Sequence, residues 1–541
     1  MILFLRRITQ GKESMRNINT AQRRTAAIRY RPLRYWPLLA ALPALCWAAA
    51  APPGTITVLE VTLPSQADLQ ALVDAGYVID AVAGLNATVY AAPAEREQLE
   101  AAGYPLKVLG VQPGWPERKA IEGYHGYEAL TADLQAYSQA HKDICRLSTL
   151  GDSVQGRALW AILISDNPDA EEDEPEFKYV ATMHGDEPVG TELCLYFIDL
   201  LLNSYGQDLD ITWLVDNTEI WILPLMNPDG RESGSRANAT GADLNRSFPV
   251  YPSEYTDTYF RSQTLDTANR PPEVQHVMAW SAANRFVLSA NLHTGALVVN
   301  YPYDDDGLPS GTDAPTPDDA LFEKVARRYA RLNPGMDASW QFPGGITNGC
   351  AWYSMTGGMQ DWLYRYLGCM DLTIELSKRK WPDAATLPQY WADNGAAMLA
   401  LLEAVHLGVR GCVYDRRDDR PLSAQILVDG NPQPVFTDPD AGDYHRLLLP
   451  GQYALTVSAP GYIPYRVTGV NVTQENAVRA DVPMSDGDVN LDGMYSAVDV
   501  QCVVNAMLGM PGPFDADVDG KGVSATDAQA VVNRALRRVP G

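Results

Sequence analysis

Phe177-Lys178-Tyr179-Val180-Ala181-Thr182-Met183 runs straight into His184-Gly185-Asp186-Glu187, and this junction decides the fold. A short aromatic and β-branched run reads as a buried strand. Strands of the same kind recur at Leu159–Ser165, Glu219–Leu225, Phe286–Leu292 and Asp371–Leu376. Between and around them, helical spacing occupies Tyr127–His141, Val189–Asn203, Pro272–Asn284, Asp318–Leu332 and Tyr390–His406. Strand–helix alternation over residues 120–407 predicts an α/β domain, with a sheet flanked by helices. The acidic run Asp166–Glu176 lies between two of the strands and reads as a solvated loop.

In an open α/β sheet, binding sites form at the carboxyl ends of the strands. His184 and Glu187 follow one strand, His293 ends a second and Glu375 ends a third, within Thr373-Ile374-Glu375-Leu376. An isolated HxxE is common by chance. Two histidines and a carboxylate on one sheet rim suit a catalytic Zn²⁺ that keeps one position open. Glu375 adds a second carboxylate, able to handle protons.

Further motifs lie in fixed order: Asn227-Pro228-Asp229-Gly230, Arg236 through Pro249, Asn291-Leu292-His293, Thr347-Asn348-Gly349, Trp352-Tyr353 and Gly357-Gly358-Met359-Gln360-Asp361. With these the chain resembles the zinc carboxypeptidases, most closely their regulatory branch of carboxypeptidase N, E and D type. The resemblance implies a mixed, eight-stranded type of sheet. It implies one Zn²⁺ on His184, Glu187 and His293, with Glu375 as general base and Arg236 holding the oxyanion. Asn245 and Arg246 are implied to clamp the substrate's terminal carboxylate, and Tyr353 to close over it. Asp304 and Gln360 stand where that branch binds a basic C-terminal side chain. The implied activity is hydrolysis of the last peptide bond of peptides or proteins, releasing Lys or Arg. A carboxypeptidase of apolar or acidic specificity is the alternative, as is a calcium-dependent scaffold without turnover. Ser247 after Arg246 and Thr294 after His293 depart from the family pattern without removing a reactive group.

Around this domain the pattern changes. Residues 55–111 show strand-like Thr55–Leu63 and Ala87–Ala92 and helical Ala67–Ala75 and Ala94–Ala102, a small α/β unit. It is either an inhibitory propeptide or a permanent accessory domain. Residues 408–484 turn to short alternating stretches (Gln425–Val428, Tyr444–Leu449, Gln452–Val457, Ile463–Thr468) between Gly, Pro and Asp turns, a small β-sandwich pattern. It resembles the transthyretin-like domain of the regulatory branch.

Residues 485–541 repeat internally. Asp488, Asn490, Asp492, Ser496 and Asp499, with the Met494 carbonyl, have the spacing of a Ca²⁺ loop, and Gly493 makes its sharp turn. Asp515, Asp517, Asp519 and Asp527 form a second copy in which Asp527 falls one residue late. Each copy feeds a helix with a Val-Val-Asn repeat. The pair resembles a dockerin, a module that binds cohesin domains, which implies two structural Ca²⁺ and a cohesin-like or other partner. Ala497-Val498 and Ala525-Thr526 differ from the Ser-Thr-like pairs of well-known cohesin binders.

The N-terminus and the charge complete the reading. Residues 1–34 hold nine Arg/Lys and one acid, Glu13, and Trp36–Ala50 is apolar and ends in small residues. Residues 1–50 therefore read as a cleaved secretory signal, with an N-terminal anchor as the alternative. Export implies a secreted, cell-surface or periplasmic protein. Removing the +8 of residues 1–50 takes the net charge from −25 to −33. Such a surface repels phosphate backbones, which argues against nucleic acid, and the mature chain is expected to hold no membrane span. Without Cys46, six cysteines remain and show no CxxC spacing.

Overall fold

The computed structural model describes residues 56–112, 123–251, 267–474, 476–510 and 512–537. The expected signal, residues 1–50, lies outside the described residues. No described helix is long and apolar enough to cross a membrane. The six cysteines from Cys145 to Cys502 are all free.

The central sheet has eight strands, in spatial order Ile346–Asn348, Leu297–Tyr301, Met370–Leu376, Leu288–His293, Glu176–Ala181, Glu219–Leu223, Ala158–Ile164 and Cys145–Asp152. The four middle strands run parallel, while antiparallel pairings flank them, so the sheet is mixed. Every residue of Glu176–Ala181, Glu219–Leu223 and Leu288–His293 is buried, as parallel strands covered on both faces require. Helices Tyr127–Ala140, Val189–Ser204, Pro272–Ala283, Asp319–Ala330 and Leu387–Glu403 fall within a few residues of the ranges expected from spacing. Three strands of this sheet escaped the sequence reading: Cys145–Asp152, Leu297–Tyr301 and Ile346–Asn348. The first is only partly buried and the last has three residues, so neither carries a strong periodic signal.

Residues 56–112 form an antiparallel four-stranded sheet, ordered Val78–Ala83, Asn86–Ala91, Ile56–Thr62, Leu106–Gln112, with helices Gln66–Asp74 and Pro93–Ala101. Their core is continuous with that of the central-sheet domain: Leu59, Val61, Leu72 and Ile79 share one apolar cluster with Ala296, Val298, Phe342 and Trp352.

Residues 409–484 build two four-stranded sheets around Val413, Ile426, Leu455 and Val482. A buried ion pair ties this β-domain to the central-sheet domain. Arg446 Nη2 lies 2.8 Å from both carboxylate oxygens of Asp318, which also accepts from Tyr364 and Asn431. The same junction corrects the expectation of a solvated loop at Asp166–Glu176. The run starts exposed, but Pro175 and Glu176 end buried, because the β-domain covers the strand's entry. Beyond it, helices Ala497–Met507 and Ala525–Arg537 pack around Val489, Val503, Val518 and Val531.

Candidate active site

Strand register assembles the site. Glu375 and His293 are paired residues on adjacent parallel strands, so two groups 82 positions apart in sequence emerge side by side. The strand that leads to His184, Glu176–Ala181, lies next to that of His293. After it the chain turns through Thr182, in the left-handed region at φ 51°, and passes under the Asn227–Gly230 turn. Gly185 is required here, since a Cβ would sit 1.9 Å from the Gly230 carbonyl carbon. Asn227 staples the two segments, donating to the Met183 carbonyl (3.1 Å) and accepting from the Gly230 N–H (2.8 Å). Asp229 in turn accepts from Ser153, Gln155 and Arg157. The Asn-Pro-Asp-Gly motif is therefore a brace behind His184.

The ligand atoms of His184, Glu187 and His293 lie within 4.8 Å of one another, and all three residues are buried. Glu187 Oε1 faces His184 Nδ1 at 3.0 Å and Oε2 faces His293 Nδ1 at 2.8 Å. Two imidazole nitrogens converge on a carboxylate, which is the donor set of a tetrahedral Zn²⁺ site with one open position. Burial would raise the Glu187 carboxyl, yet His184, Lys380 and His293 together hold it well below the usual range. Burial pushes His293 down to about 4, so the ring stays neutral and able to ligate.

Two supporting residues were not singled out in the sequence. Asp243 faces His184 Nε2 at 3.1 Å and accepts from Arg236 Nε at 2.9 Å. It orients a ligand histidine from behind and anchors the arginine as well. Lys380, fully buried, lies 3.2 Å from Glu187 Oε1 and 3.4 Å from Asp186. Neither sits in a local pattern that marks it. Asp243 was visible only as a neighbour of Asn245, and Lys380 only as one of three basic residues after Glu375.

One cavity gathers the remaining groups: Arg236, Asn245, Arg246, Asp304, Tyr353 and Glu375 line it together with His184, Glu187 and His293. Asn245 Oδ1 accepts from the Met359 N–H at 3.0 Å, which leaves its amide nitrogen as the group's remaining donor. Burial pushes the Tyr353 hydroxyl up to about 12. Asp304 is 2% exposed and Asn300 donates to it at 3.0 Å, while the opposite oxygen of that amide, Asn300 Oδ1, has no partner. Burial and then the neighbouring Asp361 hold the Asp304 carboxyl well above its ordinary value. Gln360 does not line the cavity; it stands behind Thr373, whose hydroxyl donates to it at 2.8 Å.

In the C-terminal repeats, Asp499 Oδ1 accepts from Val489 N and Asp488 Oδ2 from Gly493 N. The equivalent bonds of the second copy run from Val518 N to Asp527 Oδ1 and from Gly522 N to Asp517 Oδ2. The second loop therefore begins at Asp517, not Asp515, and lacks one residue instead of gaining one. Asp517, Asp519 and Asp527 converge, and Lys521 Nζ lies 2.9 Å from Asp519. The spacing misled because Asp515 and Asp517 are chemically alike; only the hydrogen bonds fix the register.

Convergent metal-ligating side chains beside a further carboxylate, at the carboxyl edge of a mixed sheet, suit a metal-dependent hydrolase. Comparison with known proteins makes the class specific. Residues 130–397 match the zinc carboxypeptidase family and residues 408–485 the carboxypeptidase regulatory-like domain. Human carboxypeptidase N catalytic chain is 39% identical over 64% of this chain and 82% of its own length. Human carboxypeptidase D is 41% identical over 66% of this chain, which spans 26% of that longer protein. The solved carboxypeptidase A of Helicoverpa armigera shares the fold, with a TM-score of 0.51 and 20% identity over 65% of this chain and 98% of its own. The chain belongs to the zinc carboxypeptidase family, and its catalytic domain is that of a zinc metallocarboxypeptidase.

Proposed function

We propose that the chain is an exported carboxypeptidase that removes Lys or Arg from the C-termini of peptides or proteins. The observation that carries the reading is Asp304. A buried carboxylate, beside the unpartnered Asn300 Oδ1, shares one cavity with Arg246 and the His184–Glu187–His293 set. His184, Glu187 and His293 would hold Zn²⁺, which supplies carbonyl polarisation and acidifies water. Arg246 and Asn245 clamp the substrate's terminal carboxylate, a group that an internal peptide bond lacks. Asp304 and Asn300 receive the cationic side chain. Glu375 takes a proton from the attacking water on its carboxylate and returns it to the leaving amine. Arg236, held by Asp243, stabilises charge on the scissile carbonyl oxygen. Tyr353 donates its hydroxyl over the bound terminus. Peptides ending in Arg, Leu and Glu test the reading, with Glu375→Gln as control. Preference for Leu or Glu would refute the specificity, and hydrolysis by the variant would refute the mechanism.

Residues 55–111 are read as an inhibitory cap, supported by Ile79, which lines the catalytic cavity beside the metal ligands. Gln70 accepts from Ser310 (3.1 Å), and Lys380 lies 5.2 Å from the Tyr90 ring, so the cap grips the rim as well. Residues 408–484 are read as transthyretin-like. Residues 485–537 are read as a dockerin-like module with Ca²⁺ in each loop, and Asp515 is left outside the second. Exposed Val498, Met507, Leu508 and Leu536 support docking of a protein partner, cohesin-like or other. A Ca²⁺ titration of the full chain that leaves these two helices unchanged in stability would refute the module.

A further inference from the structure

At the opposite end of the sheet from the catalytic cavity, carboxylates from two domains meet. Glu176 opens its strand directly beside Glu219 on the next one. The β-domain turn Asp438–Asp443 covers them, and Glu176, Asp438 and Asp443 line one small cavity together with Arg285. Ligand oxygens of Glu171, Glu176 and Asp438 lie within 4.8 Å of one another. Glu176 is 3% exposed and Asp443 4%, yet Glu176 Oε1 and Asp443 Oδ1 have no hydrogen-bond partner. A buried carboxylate oxygen without a donor is costly, and several together more so.

We propose that Glu171, Glu176 and Asp438 bind Ca²⁺, which pins the β-domain to the catalytic domain. Three carboxylates without a nitrogen or sulfur donor suit a hard cation, and Ca²⁺ accepts an irregular set of protein carboxylates where Mg²⁺ demands a near-ideal octahedron and keeps most of its waters. Asp438 Oδ1 already accepts from Asp440 N and Ala441 N, so Oδ2 is the oxygen it offers. The adjoining Asp173–Asp443–His445 group is a poorer site. Asp173 is engaged by Arg479 and Arg410, and Asp443 Oδ2 by His445. Arg285 brings a single positive charge to the cavity, while Arg146 and Arg410 act on Glu219 and Glu174. Those charges leave the cluster under-compensated: burial, then neighbouring acids, raise the Glu176 carboxyl well above its ordinary value. A divalent cation would ionise Glu176 and release its proton, so affinity rises with pH.

The test is a Ca²⁺ count by equilibrium dialysis on the full chain with its zinc in place, for wild type, Glu176→Gln and Asp438→Asn. Both substitutions imitate the neutral carboxyl in shape. Counting by difference keeps the result independent of any Ca²⁺ in the C-terminal loops. The expected result is one Ca²⁺ fewer per chain in each variant, with a smaller Ca²⁺-induced rise in unfolding temperature. Equal counts in wild type and either folded variant would overturn the proposal and leave protonated carboxyls only.

Discussion

Asp304→Asn tests substrate selection most directly. The carboxylate cannot move aside. Its backbone N–H donates to Asp361 at 2.9 Å, its carbonyl accepts from Met355 N at 3.2 Å and Asn300 holds Oδ1. The chain passes so close that a Cβ on Gly349 would fall 2.0 Å from Oδ1 and one on Gly358 3.1 Å from Oδ2. Asparagine fits this slot and removes only the charge. A hydrogen bond between charged partners contributes about 1.5–3 kcal/mol, so kcat/KM for an Arg-ended peptide should fall about 10- to 150-fold. A Leu-ended peptide should lose little, because it never paired with the carboxylate. The pH profile adds a second readout. Only ionised Asp304 pairs with the guanidinium, and its carboxyl is raised in the free enzyme. Wild-type kcat/KM on Arg-ended peptides should therefore climb with pH through the raised value, and the variant should lose that limb. The assay compares matched Arg- and Leu-ended peptides on enzyme freed of residues 55–111. An unchanged Arg/Leu ratio, or equal loss on both peptides, would refute the reasoning.

Ile79→Ala removes roughly 2 kcal/mol of apolar burial from the cap, so the intact chain should gain on the order of 10-fold or more in hydrolysis. No gain, with full activity already present in wild type, would make residues 55–111 a permanent accessory domain. Arg446→Met strands the buried Asp318 carboxylate and should cost about 3–5 kcal/mol in urea unfolding, with Asp318→Asn in the same chain restoring much of it. The acid cluster sets a pH dependence. Burial holds Glu219 at about 7 and Glu176 well above the ordinary carboxyl value in the folded state. The folded chain then binds more protons than the unfolded one. In chelator, stability should be greatest near pH 5 and fall as pH rises toward 8, and saturating Ca²⁺ should flatten the curve. Thermal unfolding across that range measures both.

What could be read from residues alone was local. Apolar runs ending in His184, His293 and Glu375 reveal their strands because side-chain periodicity follows from the backbone itself. Long helices such as Val189–Ser204 announce themselves for the same reason. The strand Leu297–Tyr301, which carries Asn300 to the cavity that holds His184 and His293, is five residues long and merges into loops, so its pattern has no contrast. The second calcium-type loop shows the same limit, with alternative acids satisfying one spacing.

Everything that depends on neighbours across the sheet needed the tertiary structure. Strand order and register put Glu375 beside His293, and no periodicity encodes which strands pair. Asp243 and Lys380 acquire their roles only because the Arg236–Arg246 loop and the segment after Glu375 fold back on Glu187 and His184. The acidic run looked solvated because its covering partner, the turn at Asp438–Asp443, lies more than 250 residues away. A sequence determines which side chains its backbone can present on each element. Which of them meet is decided by the packing that buries those elements, because charge and hydrogen-bonding act over a few ångströms of space whatever the separation along the chain.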